Sequence, residues 1–69
     1  MADDNVYKIL ELAGSSASGV EDAISTAIGK ASATVRNIRW FEVEQIRGHV
    51  ENGKVAHYQV LIKVGFTLE

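Results

Sequence analysis

The chain has 69 residues, 46% of them hydrophobic, with no cysteine, two histidines and a formal net charge of −2 at pH 7. That length allows one domain, over residues 1–69, whose core alone gives limited stability. Disulfides and thiolate metal sites are excluded, two histidines do not make a structural zinc site, and association between copies is the remaining way to supplement the core.

The segment Met1-Ala2-Asp3-Asp4-Asn5 is short and acidic. It lacks the basic and apolar regions of a secretion signal, so a cytoplasmic protein is expected. No run approaches the ~18 apolar residues that cross a bilayer, so no membrane partner is expected. The basic residues are interleaved with Glu42, Glu44 and Glu51. That is unlike the basic stripe of a nucleic-acid binder.

Val6 to Ala13 is rich in strand formers and predicts a strand over about 6–13. Gly14-Ser15-Ser16-Ala17-Ser18-Gly19 then marks a loop. Ser18 and Glu21 have capping-box spacing, and Ser16 serves equally well as a cap. Val20, Ala23, Ile24, Ala27, Ile28, Ala31 and Val35 recur at steps of three and four. This spacing predicts an amphipathic helix over about 18–36, whose stripe of small alanines suits close packing on a sheet. Gly29 interrupts it at some cost in propensity, and tight packing is the expected reason.

A strand over about 38–50 and another over about 54–68 flank Asn52-Gly53, a strong hairpin signal. The fold class is therefore α+β, with element order β-α-β-β. A two-residue turn pairs Glu51 with Lys54, and a continuous register then puts Phe41 opposite Val64, Val43 opposite Ile62 and Gln45 opposite Val60 on an apolar, helix-facing side. The other side pairs Trp40 with Gly65, Glu42 with Lys63, Glu44 with Leu61 and Ile46 with Gln59. Glu42–Lys63 is a favourable cross-strand charge pair. A bulge would alter this register.

Trp40, the single tryptophan, thus lies away from the helix and opposite a glycine. An indole there either packs in a subunit interface, where aromatic residues are enriched, or offers a flat face for stacking.

Trp40-Phe41-Glu42-Val43, Ile46-Arg47-Gly48, Asn52-Gly53 and Tyr58-Gln59-Val60 resemble the bacterial dodecins. So do Gly14-Ser15-Ser16 before the helix and Val64-Gly65-Phe66-Thr67-Leu68-Glu69 at the end. The resemblance covers nearly the whole chain. Ser15 departs from it, standing where many relatives have threonine, a conservative change in a loop. The resemblance implies a three-stranded antiparallel sheet wrapped around one helix, assembled into a hollow homo-dodecamer. It implies flavin, FMN or riboflavin, bound at subunit contacts. The stacking tryptophan falls on Trp40, the hydrogen-bonding amide on Gln59, and a basic position beside the flavin on Arg47. A second ligand such as coenzyme A would rest on family analogy alone.

The chemistry suits these roles. An indole stacks on a flat π-system, an amide matches the mixed donor and acceptor edge of the flavin, and a guanidinium pairs with phosphate or carbonyl oxygen. A solvated salt bridge to glutamate is the plainer role for Arg47. Trp40 lies about six residues from the Ile46–Gln59 pair, roughly 20 Å along a strand. Trp40 and Gln59 around one flavin are therefore expected to come from different subunits.

An enzyme is not expected. His49, His57, Glu44 and Asp22 form no constellation with a nucleophile, Ser15, Ser16 and Ser18 suit a capping loop, and no Gly-x-Gly-x-x-Gly or P-loop pattern occurs. No catalytic residue and no metal ligand is assigned. The competing functions are a structural or interaction oligomer with Trp40 buried at a contact, and a small flavoenzyme.

Overall fold

The computed structural model describes residues 6–68. The acidic segment 1–5 and Glu69, considered above, lie outside them. Strand β1 (Tyr7–Ser16) leads into helix α1 (Val20–Ala31), followed by strands β2 (Ile38–Glu51) and β3 (Lys54–Thr67). The three strands form one antiparallel sheet in the order β1-β3-β2. The last strand therefore lies in the middle, paired on both edges.

Helix α1 lies on β1 and β3. Ala23, Val60, Ile62 and Val64 are fully buried between helix and sheet, and Leu12, Val20, Ile24, Ala27, Ile28 and Ile38 close around them. The alanine stripe does what its small size suggests. A Cβ on Gly14 would lie 2.6 Å from the Ala23 carbonyl oxygen and 2.9 Å from the Ala27 Cβ. Only glycine in β1 lets the helix approach this closely.

The helix begins later and ends earlier than its apolar period suggests. Its N-cap is Gly19, and the Ser18–Glu21 capping box is not formed. Ser16 organises the entry instead. Its buried hydroxyl accepts from the Ser18 N–H at 2.9 Å and the Gly19 N–H at 3.4 Å, and donates to Asp22 Oδ2 at 2.7 Å. The hydroxyl is better placed there because β1 extends to Ser16 and carries it under the first turn. At the other end, the Ala33 and Thr34 N–H groups donate to Lys30 and Ala31 in a tighter turn. Asn37 then takes a left-handed conformation, φ 64°, that redirects the chain into β2.

Gly29 contradicts the tight-packing expectation: among the described residues, nothing lies within 4 Å of a Cβ built there. It sits on the exposed side of α1, away from β1 and β3.

Asn52 and Gly53 both have positive φ, 54° and 73°, as the two-residue hairpin turn requires. The continuous register holds at both ends of the hairpin and fails between. Glu51 pairs with Lys54, and Trp40, Phe41, Glu42 and Val43 pair with Gly65, Val64, Lys63 and Ile62 as expected. Glu44 is an extra residue on β2, so Gln45 meets Leu61, Ile46 meets Val60 and Arg47 meets Gln59. Ala56 on β3 is the compensating extra residue, and Arg39 is a third near the start of β2. The expected pairs Gln45–Val60, Glu44–Leu61 and Ile46–Gln59 are thus replaced. Each bulge adds local twist, which a long two-stranded ribbon needs to curve about a helix.

The bulge at Glu44 moves Ile46 from the outer face to the helix-facing side. It also sends the Glu44 carboxylate to Lys63, 3.0 Å away, in place of an ion pair with Glu42.

Candidate functional site

The outer face of the sheet, opposite α1, is read off the register. Along β3 it presents Gly65, Lys63, Leu61, Gln59 and His57; β2 contributes Trp40, Glu42, Gln45, Arg47 and His49 opposite them. The β1 residues Tyr7, Ile9, Glu11, Ala13 and Ser15 complete the face.

At one end the indole of Trp40 sits over Gly65. A Cβ on Gly65 would lie 2.1 Å from Cε2, 2.2 Å from Cζ2 and 2.6 Å from Nε1, so the N–H edge of the indole fills the space above this glycine. Tyr7, across the sheet on β1, meets the indole in an edge-to-face contact with centroids 6.1 Å apart and planes at 67°. The indole is thus set by contacts with both other strands, β3 beneath it and β1 beyond, and remains partly exposed. Sequence spacing missed Tyr7, because nothing in the sequence says that β1 pairs with β3.

The middle of the face is a charge cluster. Lys63 lies between Glu11 on β1 and Glu42 and Glu44 on β2. The hydrogen bond from Lys63 holds the Glu44 carboxyl below the usual carboxylate range, and the same bond raises Lys63 above the usual lysine range. Among the described residues, no group of three or more His, Asp or Glu side chains is arranged to hold a metal ion.

Toward the other end, the bulge places Arg47 directly across from Gln59, with Ser15 on the opposite flank of Gln59. Two of the three residues singled out above are therefore neighbours, closer than the continuous register allowed. Trp40 is not with them. Its partner Gly65 is six residues from Gln59 along β3, roughly 20 Å at the rise of a strand. Among the described residues, concavities of about 620 Å³ by Thr34, Asn37 and Phe66, about 430 Å³ between β1 and α1, and about 440 Å³ between α1 and Phe41 lie away from these three side chains. In one chain Trp40, Arg47 and Gln59 are features of an open face.

A model of the dodecin family matches residues 6–69. This chain belongs to the dodecin family. It is 48% identical over 64 residues to a dodecin of Thermus thermophilus, covering 93% of each chain. The structure superposes on a dodecin from Streptomyces davaonensis with a TM-score of 0.91 at 42% identity, covering 97% of this chain and 98% of that one. A dodecin from Streptomyces coelicolor gives a TM-score of 0.91 at 46% identity, covering 99% and 97%. The β-α-β-β order and the helix-bearing antiparallel sheet are thus those of solved dodecin structures.

Proposed function

We propose that this dodecin binds a flavin, FMN or riboflavin, between copies of itself, and stores or sequesters it without chemical turnover. The observation that carries the reading is the seat of Trp40: a partly exposed indole over Gly65, steadied by Tyr7, on the outer sheet face of a family member. An isoalloxazine stacks favourably on such a surface, and it supplies a photoexcitable ring beside which the indole is an electron donor, so that quenching of its photochemistry follows. Gln59 offers a donor and an acceptor for the polar ring edge, and the neighbouring Arg47 a cation for a phosphate or carbonyl oxygen.

The separation of roughly 20 Å between Trp40 and Gln59 exceeds what one flavin ring reaches, so different subunits supply them. Self-association has independent support. A helix of 12 residues spans about 18 Å, whereas strands of 14 residues span about 46 Å. The helix-facing side of the hairpin is therefore left partly bare, with Phe41 48% and Ile46 60% exposed. An apolar surface of this kind is covered in a stable assembly, and a hollow homo-dodecamer in the cytoplasm is the assembly we propose.

Titration of FMN and of riboflavin with the apo-protein, following flavin fluorescence, tests the reading with Trp40→Ala in parallel. Near-complete quenching by the native protein and its loss in the variant are expected. Absence of quenching with both flavins would leave Trp40 as interface packing in a structural oligomer, and turnover of a reductant would instead indicate a flavoenzyme.

A further inference from the structure

The two histidines carry a separate feature of the outer face. His49 on β2 and His57 on β3 are direct cross-strand partners, one register position beyond the end of β1 at Ser16. Their imidazoles are 16° from parallel, with centroids 5.4 Å apart. The His49 Nε2 lies 3.5 Å from a carboxylate oxygen of Glu51, the next residue on this face of β2. We infer that His49 and His57 form a two-nitrogen site for an imidazole-preferring divalent ion, such as Zn²⁺ or Cu²⁺, with Glu51 as the carboxylate that orients His49.

The spacing fits the chemistry. Two imidazoles bound through nitrogen to one tetrahedral ion, at metal–nitrogen distances of about 2.0–2.1 Å, have ring centroids roughly 5.3 Å apart. The rings therefore already stand at a liganding separation. Rotation about their side-chain torsions turns one nitrogen of each toward a common ion, with no change in the strands.

Glu51 supplies what a lone histidine pair lacks. A metal-bound imidazole usually gives its second N–H to a carboxylate or carbonyl, which fixes the tautomer and the ring orientation. A carboxylate at His49 Nε2 keeps the proton there and leaves the Nδ1 lone pair for the ion. Two nitrogen ligands favour borderline ions over Mg²⁺ or Ca²⁺, which take oxygen. Water completes the shell, so the site is exchangeable and of moderate affinity. Arg47 and Lys54 are the other charged groups on this end of the face. They oppose the incoming cation, and Glu51 offsets one of them.

The test is a titration of the full-length apo-protein with Zn²⁺, followed by calorimetry and by imidazole ¹⁵N shifts, with Mg²⁺ as control. One Zn²⁺ per chain is expected, with both histidines shifting and Nδ1 as the ligating atom of His49. His49→Ala and His57→Ala should each weaken binding at least tenfold, and Glu51→Gln by tenfold to a hundredfold. Circular dichroism establishes that each variant is folded, and the ¹⁵N shifts of the native protein decide the matter if one is not. The site is overturned if neither imidazole responds to millimolar Zn²⁺, or if the histidine variants bind as tightly as the native chain. Ligation of His49 through Nε2 would overturn the role of Glu51. The Trp40→Ala variant should bind Zn²⁺ unchanged, so this outcome is independent of flavin binding.

Discussion

Trp40 and Gly65 are cross-strand partners, and the indole edge occupies the place where a side chain on Gly65 would stand, 2.1 Å from the position of its Cβ. The partner strand therefore holds the seat of the tryptophan open by having no side chain there.

Gly65→Ala should dislodge the indole. At this separation a methyl group and the ring cannot coexist, and the cost of such overpacking is about 1–3 kcal/mol. Because Trp40 is the single tryptophan, its near-UV circular dichroism and emission report the displacement directly. Flavin quenching should fall together with that signal. An unchanged tryptophan spectrum would mean that the indole does not depend on this seat.

Ile62→Ala removes a fully buried side chain from the centre of β3 and should cost about 2–5 kcal/mol. Urea denaturation at a fixed protein concentration measures it, since association makes apparent stability concentration-dependent. Ile46→Ala, at an exposed position of the isolated chain, should cost far less in a monomeric state. A comparable cost for the two would show that Ile46 is covered in the assembly.

Ser16→Ala removes the acceptor of two loop N–H groups and the partner of Asp22. A loss of about 1–2 kcal/mol is expected, as for a helix-cap serine. Ser18→Ala should be nearly neutral, because the helix has no side-chain cap from it. Thermal midpoints of the two variants give the comparison.

Gly29→Ala should stabilise the chain by about 0.5–1 kcal/mol, the ordinary difference between alanine and glycine within a helix. Nothing among the described residues obstructs the new methyl group. A fall in thermal midpoint would place a neighbouring subunit against this side of α1.

The Glu44–Lys63 pair sets a pH window. The depressed Glu44 contributes stability above its unfolded carboxylate range and loses it as pH falls through its lower folded value. The raised Lys63 contributes below its unfolded value and loses it as pH rises through its higher folded one. Both contributions are therefore present near neutrality. The difference in urea midpoint between the native chain and Glu44→Gln should be largest there and shrink on acidification. Salt should reduce it as well, since both groups are exposed to solvent screening.

The order of elements is legible from local rules alone. The run of strand formers from Val6, the three-and-four spacing from Val20 to Ala31, and Asn52-Gly53 dictate β-α-β-β, since each acts through backbone geometry within a few residues. The motifs around Trp40, Arg47 and Gln59 pointed to the dodecin family. Long-range strand pairing, which no local rule encodes, sets the placement of β3 between β1 and β2, and with it the contact of Tyr7 with Trp40. It also sets where the hairpin bulges, at Arg39, Glu44 and Ala56. An extra residue is inserted where a long ribbon must twist to follow its helix, a global demand that the residue types at those positions do not encode. One such residue, Glu44, moves Ile46 off the outer face and sets Arg47 against Gln59. The side of a strand alternates with every residue, so a single insertion changes which residues share a face.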